Sequence, residues 1–139
     1  MNTFNGLYDI RDGTKEDTNF ILATFLRALY YGDSWFSLIP KNIFMENYEK
    51  VGKALLASTK VKVYVACLKE DPSVILGYSI LSEDYQTIHF CYVKDAWRKR
   101  GIARSLLPTT PTTVTHLTKL GKSLLNTKFE HTIFNPFKL

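Results

Sequence analysis

The run from Tyr92 to Ala103, Tyr-Val-Lys-Asp-Ala-Trp-Arg-Lys-Arg-Gly-Ile-Ala, holds the residues of this chain best suited to chemistry. A β-branched and aromatic stretch ends in three successive cations, Arg98, Lys99 and Arg100. Gly101 follows, and then a short apolar segment that reads as the opening of a helix. A strand that hands over to a helix through such a turn points several backbone N–H groups outward. With the helix dipole behind them, those groups form an anion site suited to a phosphate or pyrophosphate. Four of the seven residues from Arg98 to Arg104 are Arg or Lys and none is acidic, so much of the formal net charge of +5 is local. A concentrated patch fits a small polyanionic ligand at least as well as a long polymer.

The elements that must position this turn follow from periodicity. Tyr8 to Arg11 reads as a short strand closed by Asp12-Gly13. Thr14 is placed to cap a helix whose first turn carries Glu16 and Asp17, where the dipole favours acids. Phe20, Ile21, Thr24, Phe25, Ala28 and Leu29 give that helix one apolar face, and Gly32-Asp33-Ser34 breaks it. An aromatic connection through Trp35 and Phe36 leads past Pro40 to a second helix, with Phe44, Tyr48, Val51 and Leu55 at helical spacing. Three strand-like runs come next: Val61 to Leu68, Val74 to Leu81 and Thr87 to Val93, joined by short polar turns as an antiparallel meander. Gly77 inside the second run marks a bulge or a close backbone approach.

Beyond Gly101 the helical segment is short, because Pro108 removes a donor and Pro111 follows soon after. Val114 to Leu117 reads as a strand, and Leu117, Leu120, Leu124 and Leu125 as a last short helix. Phe129 to Phe134 closes as a strand. The expected architecture is α/β in the α+β sense: one mixed central sheet, an antiparallel meander followed by strand, glycine turn and helix, with helices on both faces. The 139 residues have room for one domain spanning 1–139 and one continuous core.

Composition narrows the classes further. An apolar share of 45% and a charged share of 22% are those of a soluble globular protein, and no window approaches the roughly 18 apolar residues of a membrane span. The first residues have neither the basic start nor the apolar run of a signal peptide, which points to the cytoplasm. Cys67 and Cys91 both lie in apolar runs without metal-ligand spacing, and read as buried free thiols. No metal site is expected.

The order of elements and the glycine turn together resemble the GNAT superfamily of acyl-CoA-dependent N-acetyltransferases. The family's signature, Arg/Gln-x-x-Gly-x-Gly/Ala between its fourth strand and the following helix, is matched by Arg98-Lys99-Arg100-Gly101-Ile102-Ala103. The likeness extends through Phe90 to Val93 upstream and Arg104 to Leu107 downstream, and Ile10-Arg11 with Glu16-Asp17 looks like the family's first strand and helix start. The resemblance implies that backbone N–H groups around Arg100, Gly101, Ile102 and Ala103 hold the pyrophosphate of acetyl-CoA (coenzyme A). The side chains of Arg98, Lys99, Arg100 and Arg104 would neutralise its charge. It also implies that the fourth strand splays from the fifth, so that the backbone of Cys91 and Val93 meets the pantetheine and the acyl carbonyl.

Transfer of an acyl group from a thioester to an amine needs a neutral amine, a polarised carbonyl and a proton for the departing thiolate. Family members often place a glutamate early on the fourth strand as base; here that neighbourhood holds Gln86, Thr87 and His89. On strict alternation Thr87, His89 and Cys91 share a face. His89 has an ordinary pKa near neutrality and is the first candidate base, with Glu83 and then Asp84 at the preceding turn next. The family's thiolate acid is a tyrosine on the helix after the fifth strand. No tyrosine follows Tyr92; Thr118, Gly121 and Leu125 stand at comparable spacing, leaving Ser123 or water to substitute. Trp35 and Phe36 either shape the acceptor site or pack as an ordinary aromatic pair.

Three functions compete. The first is an acyl-CoA-dependent N-acetyltransferase acting on an amine acceptor, small molecule or protein. The second keeps the GNAT fold and acts through coenzyme binding or protein contacts, including a homodimer formed through the terminal strand. The third is a small basic nucleic-acid binder using Arg98 to Arg104 on phosphates, whose affinity would fall steeply with salt.

Overall fold

The computed structural model describes residues 6–32, 35–116, 118 and 131–139. Strand β1 (Tyr8–Asp12) leads through a 3₁₀ turn (Lys15–Asp17) into helix α1 (Thr18–Gly32). A second 3₁₀ turn (Phe36–Leu38) precedes α2 (Lys41–Ala57). Strands β2 (Val61–Leu68), β3 (Ile75–Ser82) and β4 (Thr87–Val93) follow, then a 3₁₀ turn (Asp95–Trp97), the one-turn helix α3 (Ile102–Ser105), and the two-residue strands β5 (Thr113–Val114) and β6 (Ile133–Phe134).

The described strands form one sheet in sequential order, antiparallel from β1 to β4 and parallel from β4 through β6. This is the mixed sheet expected from the meander followed by a helical crossover. Alternation sorts the meander onto two faces. Val65 and Cys67 of β2, Tyr78 and Ile80 of β3 and Phe90 of β4 pack under α1 and α2 with Ile21, Phe25, Leu29 and Phe44. Ala66 of β2, Leu76 of β3 and Val93 of β4 turn to the opposite face, where Ile102 and Leu106 cover them. Helices therefore lie on both faces. β3 is buried along nearly its whole length because a covered strand stands on either side of it.

Buried polar groups tie the layers together. The Tyr78 hydroxyl on β3 lies 2.8 Å from Thr24 Oγ1 and donates to the Ile21 carbonyl at 3.1 Å, joining the sheet to α1. On the other face Ser79 Oγ donates to the Leu106 carbonyl at 2.8 Å and Tyr8 OH meets Ser105 Oγ at 3.0 Å, holding α3 down. At the entrance to α1, buried Asp17 accepts two hydrogen bonds from Arg11 (2.7 and 2.8 Å) and one from the Thr14 N–H at 2.7 Å. The Arg11 guanidinium holds the Asp17 carboxyl below its ordinary value. Thr14 thus caps the 3₁₀ turn leading into α1, not α1 itself.

Gly77 combines both features expected of it. Leu76 bulges beside it, since Ala66 pairs with Gly77 and Cys67 with Ile75. A Cβ at Gly77 would come within 2.5 Å of the Tyr92 carbonyl oxygen, so a side chain there would push β4 off the sheet. Cys67 and Cys91 are free thiols, and burial raises the Cys91 thiol to about 12, which keeps it protonated. Of the Trp35-Phe36 pair, Phe36 packs on Phe44 and Tyr48 with ring centroids 5.7 and 5.4 Å away, whereas Trp35 is largely exposed. Among the described residues no helix is long and apolar enough to cross a membrane. The strand expected over Val114 to Leu117 begins at Thr113, and Leu117 lies outside the described residues, as do Phe129 and Glu130 of the last strand.

Candidate functional site

The turn after β4 is built by its own backbone. Trp97 N–H closes on the Lys94 carbonyl at 2.9 Å and Arg98 N–H on that of Asp95 at 3.2 Å. The chain then takes a left-handed conformation at Lys99 (φ 63°) and again at Gly101 (φ 83°, ψ 4°) before α3 begins. Gly101 adopts it without the steric cost a Cβ would bring. Helical bonding starts only with Ser105 N–H to the Gly101 carbonyl at 3.1 Å. The N–H groups of Gly101, Ile102, Ala103 and Arg104 therefore have no acceptor within α3. Buried Ile102 anchors this rim to the sheet. A single helical turn supplies little macrodipole, so the local N–H groups, not the helix, would carry affinity for an anion here.

The four cations of the turn divide by role. Arg98 donates from Nε to the Val93 carbonyl at 3.0 Å and pairs with Asp95 at 3.1 Å, so it staples the turn to the end of β4. Arg100 lies over the Trp97 ring at 5.0 Å. Lys99 and Arg104 are exposed on the rim.

β4 itself carries a bulge. Phe90 pairs with Ile80, but Leu81 pairs with Ile88, leaving His89 as an extra residue. This bulge overturns the expectation that Thr87, His89 and Cys91 share a face. Thr87 and His89 line a cleft beneath α2, and Phe90 also packs on the helical face against Phe25. Cys91 packs on the opposite face beside Ala66, Val93 and Leu106. The inserted residue resets the period of two, which a sequence pattern assumes to be unbroken. β4 and β5 pair only at Thr87 with Thr113 and Ile88 with Val114. Among the described residues, backbone bonding between them reaches no further than Thr115 N–H to the Ile88 carbonyl at 3.0 Å. Lys94 N–H bonds to the Leu76 carbonyl, which by antiparallel alternation turns the Tyr92 and Phe90 backbone toward β3 and the Cys91 and Val93 backbone away from it.

At the bulge, three side chains from β4 and the end of β5 meet. His89 Nδ1 lies 3.1 Å from Thr115 Oγ1, which lies 2.9 Å from His116 Nδ1; His116 Nδ1 is also 3.1 Å from the His89 carbonyl oxygen. All three are buried. Burial lowers His89 from its ordinary pKa and pushes His116 down to about 4, so both imidazoles are neutral at pH 7. The His116 ring sits edge-on to Phe25 and Tyr48, with centroids 5.4 and 6.1 Å away. His89 opens on a cleft of about 580 Å³ lined by Val51, Ala54 and Leu55 of α2, Ser82 and Asp84 of the β3–β4 turn, and Lys138.

Of the acidic candidates, Asp84 lines this cleft and accepts from Ser82 Oγ at 2.6 Å and Gln86 N–H at 3.0 Å. Those bonds hold its carboxyl below the ordinary value. Glu83 is exposed on the turn and is not part of the cleft lining.

No protein-family model matches the chain, and no curated protein matches it by sequence. Solved structures do share its architecture. A possible acetyltransferase from Clostridium difficile 630 superposes with a TM-score of 0.52 at 16% identity, over 92% of this chain and 77% of that one. A provisional acetyl transferase from Pyrococcus furiosus gives 0.50 at 19% identity, over 92% and 80%. Apo YjaB from Escherichia coli gives 0.51 at 17% identity, over 72% of this chain and 61% of that one. The chain shares its fold with these three proteins. At these identities the likeness concerns the fold, and the site stands on its own residues.

Set against the GNAT pattern, the position of the family's tyrosine falls among Thr118, Gly121 and Leu125. Only Thr118 of these is described; Ser123 and the residues of the expected last helix, Leu117, Leu120, Leu124 and Leu125, lie outside the described residues. Thr115 and His116 escaped the sequence reading. The signal available was a Thr-His pair on the strand next to the one carrying His89. Using it required the register of a two-residue parallel strand.

Proposed function

We propose that this chain is a GNAT-type N-acetyltransferase that takes acetyl-CoA as co-substrate and transfers its acetyl group to an amine of a small molecule or protein. The carrying observation is the combination of a bulge at His89 with a β4–β5 pairing that, among the described residues, is confined to the two residue pairs before it. That geometry turns β4 backbone away from β3 between the Gly101 turn at one end and the α2 cleft at the other. The residues present fit the coenzyme. N–H groups of Gly101 to Arg104 with Lys99 and Arg104 on the rim suit the pyrophosphate. The Cys91 backbone and the Val93 N–H suit the amide-bearing pantetheine arm, the Val93 carbonyl being taken by Arg98, and an N–H there suits the acyl carbonyl. Acetyl-CoA supplies the activated acyl group. The chain's own residues align it, exclude water with the apolar wall of α2, and bring His89 to the cleft where an acceptor amine would enter.

A second reading keeps the fold and the coenzyme but drops catalysis, and the lack of any tyrosine after Tyr92 favours it. Exposed Ile133 and Phe134 on the edge strand β6 would then serve protein contacts, including a homodimer. The nucleic-acid reading is weaker, because Arg98 and Arg100 are engaged within the turn itself. Calorimetric titration of the protein with acetyl-CoA and with coenzyme A tests the first reading. Micromolar binding of both, followed by turnover in an amine screen, is the expected result. The absence of heat and of thermal stabilisation with either compound would overturn it.

A further inference from the structure

The three buried side chains at the bulge do more than fill space, because their hydrogen bonds can be satisfied well in only one arrangement. The His89 carbonyl oxygen can only accept. His116 Nδ1, 3.1 Å away, is therefore the atom that carries the proton of that imidazole and donates it to the carbonyl. Thr115 Oγ1 has a single proton to give. His116 Nδ1, 2.9 Å away, carries a proton of its own and cannot accept, which leaves His89 Nδ1 at 3.1 Å and the His89 carbonyl at 3.4 Å as acceptors. The last distance is well beyond the usual range of about 2.5–3.0 Å for an O–H···O bond, and that carbonyl already receives His116. The hydroxyl proton thus goes to His89 Nδ1, which must be the unprotonated nitrogen.

We propose that Thr115 and His116 are positioning residues that hold His89 as the tautomer protonated on Nε2, so that this side chain presents a hydrogen-bond donor, not a base, to the cleft. Among the described residues His89 Nε2 has no protein partner, yet no buried side-chain nitrogen is left unsatisfied; Nε2 is therefore open to the cleft. A neutral imidazole can act as an electrophile in this way without changing its protonation state. The group it would meet is an oxygen: a carbonyl, a carboxylate or an oxyanion developing from the acyl group. An ammonium would find no lone pair there. The other charged groups lining the cleft are Lys50 and Lys60, Asp84 of the β3–β4 turn, and Lys138. The proton of the acceptor amine would then leave to water.

The catalytic meaning of this tautomer rests on the transferase reading, but the tautomer itself does not, and it can be read without coenzyme. Long-range ¹H–¹⁵N correlation spectra of the ¹⁵N-labelled full chain at about pH 8, where both imidazoles are neutral, report which nitrogen of each ring carries the proton. The expected result is His89 wholly protonated on Nε2 and His116 on Nδ1. Thr115→Val should turn His89 into a mixture of tautomers, and Thr115→Ser, which keeps the hydroxyl, should retain the wild-type pattern. His89 protonated on Nδ1 in the wild type would overturn the proposal. So would a Thr115→Val spectrum with His89 still in one Nε2–H form. The wild-type and Thr115→Ser spectra decide the donor assignment even if Thr115→Val does not fold. A failed acetyl-CoA titration would leave this result standing and remove only its catalytic meaning.

Discussion

Lowering the pH from about 8 to about 5 should destabilise this protein through His116, and replacing that residue with phenylalanine should remove its share of the loss. In the folded chain burial pushes His116 from 6.5 down to about 4. Between those values the unfolded chain holds a proton on this residue that the folded chain does not. Stability therefore rises with pH across the window and falls as the pH drops, by about 1.4 kcal/mol per unit. The contribution is fully present above about 6.5, about 2 kcal/mol of it is gone at about pH 5, and the loss levels off below about 4. His89 is lowered by burial too and adds loss of the same sign, so the informative quantity is the difference between proteins. Phenylalanine keeps a flat ring between Phe25 and Tyr48 but cannot titrate. Urea unfolding followed by circular dichroism at the two pH values measures the change for each protein, with the urea dependence shared between fits. Wild type should lose about 2 kcal/mol more than His116→Phe on acidification, whatever the baseline cost of the substitution. Equal losses in the two proteins would refute the assignment of His116 as a buried neutral imidazole.

Further outcomes follow from other parts of the molecule. Gly101→Val forces a β-branched residue to φ 83° at the rim of α3, and should abolish coenzyme binding in calorimetry while the circular dichroism spectrum stays near that of wild type; unchanged affinity would remove the turn from the site. Gly77→Ala places a Cβ 2.5 Å from the Tyr92 carbonyl and should cost about 1–3 kcal/mol in chemical denaturation, as overpacking does. Asp17→Asn removes the charge facing Arg11 at the start of α1 and should cost about 2 kcal/mol at neutral pH, with little cost below the carboxyl's folded pKa, where wild type has lost the same charge. If Lys99 and Arg104 serve a small anion and not a nucleic acid, affinity for acetyl-CoA should decline only gently with added salt.

Much of the fold was legible because it rests on local rules. The meander of β2 to β4 could be read from alternating apolar residues and polar turns, and α1 and α2 from apolar positions at helical spacing. Gly101 was readable as the turn between a strand and a helix; that the chain there is left-handed (φ 83°) came with the structure. The face on which His89 stands was not readable. Strict alternation put it with Cys91, whereas the bulge places the two on opposite sides of the sheet. A bulge is set by how β4 must bend to pair with β3 on one side and β5 on the other, and no residue within β4 announces it.

What the sequence determined by itself is therefore the order of elements and the position of the turn, because hydrophobic periodicity and glycine chemistry act over a few neighbouring residues. Tertiary structure decided the site. It tied Arg98 and Arg100 into the turn and left Lys99 and Arg104 on its rim. It also joined His89 to Thr115 and His116, which lie 26 and 27 residues further along the chain. Those contacts depend on the register of a parallel pairing only two residues long, and a parallel register is set by the crossover between the strands and the packing beneath them, not by a local pattern.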